Sequence, residues 1–247
     1  MSCNNIWKFS DDSSLQGYKL IVPSVAVGNV GQLSCDLIIS SLQMKKIASV
    51  WSPALVPVLG YDAYDLKSNN LLTSCEIYKS NAQKVLVLQL RSPLVMKHAK
   101  DFLKDIVKVF LLKGVSDMII LTSSFSHERK NVMSSPFRYV ASDNSQFKDI
   151  IEKLHWAEGD IVDSKVKIYG GGFASILYEI AAENSMPSVI LYKYCSEGDN
   201  IPDAYEMLNQ LSLFLPLFSV EQDLLSQLVQ PVSWKFMFGR PPPIDIY

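Results

Sequence analysis

Residues 84–122 read KVLVLQLRSPLVMKHAKDFLKDIVKVFLLKGVSDMIILT, and the fold turns on this stretch. Lys84–Leu90 carries Val85, Leu86, Val87, Leu88 and Leu90 almost without interruption. A run of that length and density predicts a strand buried on both faces. Val95–Leu112 then places Phe102, Leu103, Ile106, Val109, Phe110 and Leu112 at helical spacing, and Gly114 is a natural stop just beyond. Asp117–Thr122 returns to a second buried strand. Strand, helix and strand in this order predict a right-handed crossover between parallel strands.

The same alternation continues on both sides. Upstream, Tyr18–Val22 is a β run, and Asn29–Met44 sets Val30, Leu33, Leu37 and Ile38 on one helix face. Ile47–Trp51 and Val56–Leu59 read as further strands, and Leu71–Tyr78 as a strand beside a loop. Downstream come a helix at Phe147–Leu154, a strand at Val166–Tyr169, a helix at Phe173–Asn184 closed off by Pro187, and a strand at Ser188–Tyr194. Asp203, as N-cap, opens a helix to Leu215, and Ser219 with Gln222 forms a capping-box pattern for a helix through Val229. Arg138–Ser145 and Gly159–Ser164 are the most polar loops. The expected fold class is α/β: a three-layer α/β/α sandwich with a mostly parallel central sheet, one domain over residues 1–239 and an extended tail over 240–247.

The chain has 247 residues, 48% of them hydrophobic and 19% charged. That supports a large core, and the low charge also fits apolar surface covered by a permanent partner. The formal net charge of −2 gives no field that would draw nucleic acid, and no basic stripe stands out along the linear sequence. Met1–Asn5 does not read as a signal peptide, and no apolar run approaches the ~18 residues needed to cross a bilayer. The four cysteines, at 3, 35, 75 and 195, form no CxxC pair, so they predict neither a zinc site nor a dithiol. A reducing compartment, cytosol or nucleus, is the expectation.

Five segments invite chemistry. Gly170-Gly171-Gly172 stands between a strand and a helix, where backbone N–H groups can hold a phosphate, but it matches neither GxGxxG nor a P-loop. A tight turn is the alternative reading. Ser24–Gly31 repeats the situation with Gly28 and Gly31, without an acidic residue placed to hold a ribose. Ser196–Asp203 offers Glu197, Asp199 and Asp203 without the order of an EF-hand loop. Ser123, Ser124 and Ser126 with His127 follow a buried strand but lack Gly-x-Ser-x-Gly. Finally, Trp234, Phe236, Met237 and Phe238 precede Gly239-Arg240-Pro241-Pro242-Pro243, a stiff extended stalk that ends in Ile244-Asp245-Ile246-Tyr247. Such an end fits insertion into a pocket with a basic floor, and a frayed terminus is the competing reading.

Val22–Leu33 continuing to Asp36–Ser40, Leu88–Ser92, Ser134–Tyr139, Gly170–Gly172, Ser196–Ala204, Ser233-Trp234 and Phe238-Gly239 together resemble the proteasome assembly chaperone 2 family. The resemblance runs from near residue 18 to the C-terminus. It implies an α/β/α sandwich with no catalytic residues, no metal and no cofactor. It implies a heterodimer with proteasome assembly chaperone 1 that binds α-type subunits, promotes the seven-membered α ring of the 20S proteasome and prevents ring dimerisation. In that picture the pair sits on the outer face of the ring and leaves when the 20S particle is complete, in cytosol and nucleus, with neither nucleic acid nor membrane as partner. The family's tails resemble a hydrophobic–tyrosine–any motif; here Tyr247 is the last residue, one position off register. The partner-binding candidates are therefore Ile246 and Tyr247 in the tail, Val27, Gly28 and Asn29 in the first loop, and Glu197, Asp199 and Asn200 in the second. A heterodimer of this kind is expected to bury upwards of ~2,000 Å² in total. The alternative reading is a small-molecule hydrolase or phosphorylase-like enzyme using the two glycine loops at the sheet edge; a nucleotide-binding regulator is a third.

Overall fold

The computed structural model describes residues 5–10, 14–162 and 165–236. Twelve strands are present among them: β1 (Ile6–Phe9), β2 (Lys19–Pro23), β3 (Lys45–Trp51), β4 (Leu59–Tyr61), β5 (Leu71–Thr73), β6 (Cys75–Ser80), β7 (Val85–Leu90), β8 (Asp117–Phe125), β9 (Phe137–Ala141), β10 (Ile161–Val162), β11 (Lys165–Val166) and β12 (Ser188–Cys195). The helices are α1 (Val30–Ser41), α2 (Met96–Leu112), α3 (Lys148–Lys153), α4 (Ala174–Glu183), α5 (Ile201–Ser212) and α6 (Leu224–Gln227). No helix among the described residues is long and apolar enough to cross a membrane.

Eight strands form one sheet in the order β1-β3-β6-β7-β2-β8-β12-β9. Its centre, β7-β2-β8-β12, is parallel. The expected mostly parallel sheet is parallel only there: β1, β3, β6 and β7 pair antiparallel on one side and β9 closes the other side antiparallel. The four residues between β6 and β7 leave no room for a crossover, so those strands form a hairpin. The strand–helix–strand unit of residues 84–122 is present as β7-α2-β8, with β2 inserted between its two strands.

Alternation along the central strands divides the core into two layers. Leu20, Val22, Leu86, Leu88, Met118, Ile120 and Ile190 meet α2 and α4 through Phe102, Ile106, Phe110, Leu177 and Ile180. Ile21, Val85, Val87, Ile119, Leu121, Val189 and Leu191 meet α1 and α5 through Cys35, Leu37, Ile38, Met207 and Leu211. This is the expected three-layer sandwich. The exposed ridge of α2 carries Lys97, Lys100, Lys104 and Lys108 with Asp101 among them.

Several boundaries differ from expectation. Val166–Tyr169 is not a central strand: only Lys165 and Val166 pair, with β10, and residues 167–170 cross the strand ends instead. Phe137–Ala141 is a sheet strand although Arg138–Ser145 reads as a polar loop. Helix α5 begins at Ile201, with Asn200 rather than Asp203 at its N-cap position. The capping box at Ser219 and Gln222 does not form; the Ser219 N–H donates to Gln227 Oε1 at 2.9 Å, and only Leu224–Gln227 is helical.

Candidate partner-binding site

Strands β2, β8 and β12 end on the same edge of the sheet, and the loops that leave them interlock. The chain leaves β2 through Ser24, which is fully buried. Its hydroxyl donates to the Gly171 carbonyl at 2.8 Å and accepts the Phe173 N–H at 2.9 Å. The Thr122 hydroxyl donates to the same Gly171 carbonyl at 2.9 Å. The Val27 N–H donates to Gly170 O at 3.0 Å. A Cβ on Gly172 would collide with the Val25 carbonyl, so a glycine is required there by close approach as well as by its positive φ of 63°.

The second loop is clamped onto the first. Val27 is buried, and its carbonyl accepts hydrogen bonds from Ser123 Oγ and, at 3.6 Å, from Cys195 Sγ. Asn200 is buried against Gly28, with its amide donating to Ser196 O at 2.9 Å and to Asp203 Oδ2 at 2.8 Å. Asp199 Oδ1 accepts the Ile201 N–H at 3.1 Å, which starts α5. Asp203 and Glu206 hold the buried Lys193 ammonium at 2.6 and 2.8 Å. Burial disfavours that charge, but the hydrogen bonds to the two carboxylates outweigh it and raise the Lys193 pKa.

The two expected loops are thus neighbours, and their residues divide by exposure. Asn29, Glu197 and Asp199 face solvent, whereas Val27 and Asn200 are buried and hold the loops together. Ile246 and Tyr247, with the tail from residue 240, lie outside the described residues.

The groups that the two glycine loops and the serines offered for chemistry are bonded within the fold. The N–H groups of Val27, Asn29, Gly171 and Phe173 are spent on internal acceptors rather than turned toward a phosphate. Ser123 and Ser124 are buried and donate to the carbonyls of Val27 and Tyr169. Ser126 shares a hydrogen bond with Ser196 at 2.8 Å, and His127 stacks on Phe125, so the serines and the histidine do not form a nucleophile–base pair. Among the described residues no group of three His, Cys, Asp or Glu side chains gathers at metal-binding distance.

Sequence reasoning missed a buried polar cluster that braces the middle of α1. Asp36 Oδ1 accepts from the Tyr64 hydroxyl at 2.5 Å, from Gln89 Nε2 at 2.6 Å and from Arg91 at 3.1 Å. Burial and the Asp36 charge push the Tyr64 pKa well up, which keeps it a neutral donor. The signal was present: Asp36 interrupts an apolar helix face and Arg91 follows an apolar strand, and buried charges demand partners.

The sequence model of the PAC2 family matches residues 20–227. Proteasome assembly chaperone 2 of Xenopus tropicalis is 35% identical, over 93% of this chain and 95% of its own length. Proteasome assembly chaperone 2 of Homo sapiens is 36% identical, over 91% of this chain and 93% of its own length. Among solved structures, Pyrococcus furiosus PbaA, described as an archaeal homolog of proteasome-assembly chaperone, superposes with a TM-score of 0.70 at 16% identity, over 91% of each chain.

Proposed function

The chain belongs to the PAC2 family, and from that premise we propose that it is a proteasome assembly chaperone that acts by binding, as one half of a heterodimer with a proteasome assembly chaperone 1 subunit. The observation that carries the reading is similarity along nearly the whole chain to relatives named proteasome assembly chaperone 2, with the coverage reciprocal. The strand-end geometry supports it: where many α/β enzymes keep an open crevice, this chain fills the edge with loops bonded to one another. Exposed Asn29, Glu197 and Asp199 then form a rigid contact surface.

In this reading the heterodimer binds α-type subunits, favours the 20S α ring and blocks ring-to-ring dimers, in cytosol and nucleus. The tail, through Ile246 and Tyr247, docks in a pocket between α subunits. Affinity purification of the full chain followed by mass spectrometry tests the first part: a related chaperone and α-type subunits are expected, and their absence overturns it. Deletion of residues 244–247 tests the second: lower affinity for the α ring is expected, and unchanged affinity removes the tail as an anchor.

A further inference from the structure

The two edges of the sheet are treated differently. At β9 the outer edge is covered: the Gly159 N–H donates to Tyr139 O at 2.8 Å, the Tyr139 N–H reaches Ala157 O, and residue 158 bridges alongside. At the opposite edge β1 pairs with β3 and with no other strand among the described residues. An open edge offers a row of backbone donors and acceptors to an added strand.

Beside this edge lies a groove of about 500 Å³ lined by Ile6, Trp51, Leu55, Pro57, Val58 and Leu59. Exposed apolar side chains pair here on two separate sheets. Ile6 opposes Trp51 across β1 and β3, and Tyr61 opposes Leu71 across β4 and β5. Ile6, Trp51, Val58, Leu59, Tyr61 and Leu71 are between 39% and 85% exposed. Six large side chains exposed to that degree leave on the order of several hundred Å² of apolar surface in water, the scale of an interaction patch.

The wall that displays these groups is firmly braced. The Ser74 hydroxyl donates to Val56 O at 2.6 Å and accepts the Val58 N–H at 2.8 Å. Leu55 bridges to Leu94, and Tyr64 is tied to Asp36. Apolar side chains held outward on a braced wall are arranged for contact, since a free loop would turn them inward.

Charge selects the occupant. Lys8 lies on the same face of β1 as Ile6, is exposed, and has no ion-pair partner among the described residues; no carboxylate residue lines the groove or the adjoining cleft at Lys8. A second copy paired antiparallel along β1 in the register centred on Lys8 would set two such ammonium groups opposite each other. We infer that the β1 edge and its groove receive a different folded subunit, one that presents a strand edge, an apolar face and a carboxylate opposite Lys8. This deepens the heterodimer reading above, on which it rests, by assigning that partner its surface.

The experiment compares full-length wild-type chain with Trp51→Ala/Leu59→Asp and with Lys8→Glu, each titrated with the proteasome assembly chaperone 1 subunit of the same species and checked for fold by circular dichroism and thermal unfolding. Val220→Asp, at a residue 97% exposed elsewhere, is the control. The inference expects at least a tenfold loss for the double variant, a smaller loss that salt diminishes for Lys8→Glu, and no change for the control. Wild-type binding with a folded but unaffected double variant overturns the groove assignment alone. Absence of wild-type binding overturns the heterodimer reading and the assignment with it. A wild-type homodimer that the double variant dissolves, or greater hydrogen exchange at β1 after deletion of residues 240–247, names this chain itself as the occupant and overturns the assignment.

Discussion

Asn200 fills the space that a side chain on Gly28 would need: a Cβ built on Gly28 lies 2.6 Å from Asn200 Cγ. The contact joins the two loops at the ends of β2 and β12, and Asn200 cannot swing away without losing its bonds to Ser196 O and Asp203 Oδ2. Gly28 also has a φ of 66°, which penalises any side chain. Gly28→Ala is therefore expected to cost about 1–3 kcal/mol, as overpacking usually does. In Gly28→Ala/Asn200→Ala the collision is gone and only backbone strain remains, so the double variant is more stable than the sum of the two single changes predicts. Urea unfolding of the four proteins gives the coupling, and strict additivity rejects the contact.

A second prediction concerns Asp36. Three donors converge on one buried carboxylate oxygen, and one of them, Tyr64, anchors the segment between β3 and β6. Asp36→Ala leaves the half-buried Arg91 guanidinium without its counter-charge, and should cost about 3 kcal/mol, the low end for breaking a buried pair. Tyr64→Phe removes one donor and leaves the ion pair, so a cost of about 1–2 kcal/mol is expected. The smaller change should also raise hydrogen exchange at β4 and β5 while β7 and β8 stay protected. Equal exchange in all strands would mean that Tyr64 is not the brace.

Much of this architecture can be read before any coordinates, for a physical reason. Val85–Leu90 and Asp117–Thr122 are buried on both faces, so their composition alone marks them as central strands. The edge strands carry no such mark. β1 alternates exposed Ile6 and Lys8 with Trp7 and Phe9, which pack inward, and it is four residues long. In β9 the outward Arg138 disguises Phe137, Tyr139 and Val140 as part of a polar loop. Local capping patterns fail where tertiary bonds compete: Asp199 takes the first N–H of α5, leaving Asp203 free to hold Lys193, and Val229 bonds to Ser41 rather than continuing a helix. The loops around Gly28 and Asn200 were legible as motifs. The groove was not, because Ile6 and Leu59 meet only through the sheet order.

The thiols predict an alkaline limit. Burial pushes the Cys35 and Cys75 pKa values up, with the Asp36 and Glu76 charges adding to it respectively. Both stay protonated in the folded chain, whereas in the unfolded chain a thiol ionises near pH ~8.5. A raised folded pKa gives stability that is complete below the unfolded value and is lost as pH rises above it. Folding free energy should fall from about pH 8.5 upward, by as much as ~1.4 kcal/mol per pH unit for each thiol. Urea unfolding between pH 7 and 10 measures the slope, and Cys35→Ala should flatten it. An identical slope in wild type and variant would refute the assignment.

Lys193 offers the sharpest link between stability and the proposed contact surface. Its ammonium bonds to Asp203 and Glu206 on α5, so it pins the start of that helix, and with it residues 196–200, to β12. Lys193→Met keeps the length of the stem but leaves Asp203 without its ammonium partner, and about 1–3 kcal/mol should be lost. Because the Lys193 pKa is raised in the fold, its contribution is complete below the unfolded lysine value of ~10.4 and disappears as pH climbs through the folded value. The gap between wild type and variant should thus be constant from pH 6 to 9 and close only in stronger alkali. Released from β12, residues 196–203 should exchange amide hydrogen faster, and binding of the α-type subunits, the partners left for the Asn29, Glu197 and Asp199 surface, should weaken. Faster exchange with unchanged affinity for the α-type subunits would separate the two roles, keeping Lys193 as a brace and removing the 196–203 loop from the contact surface.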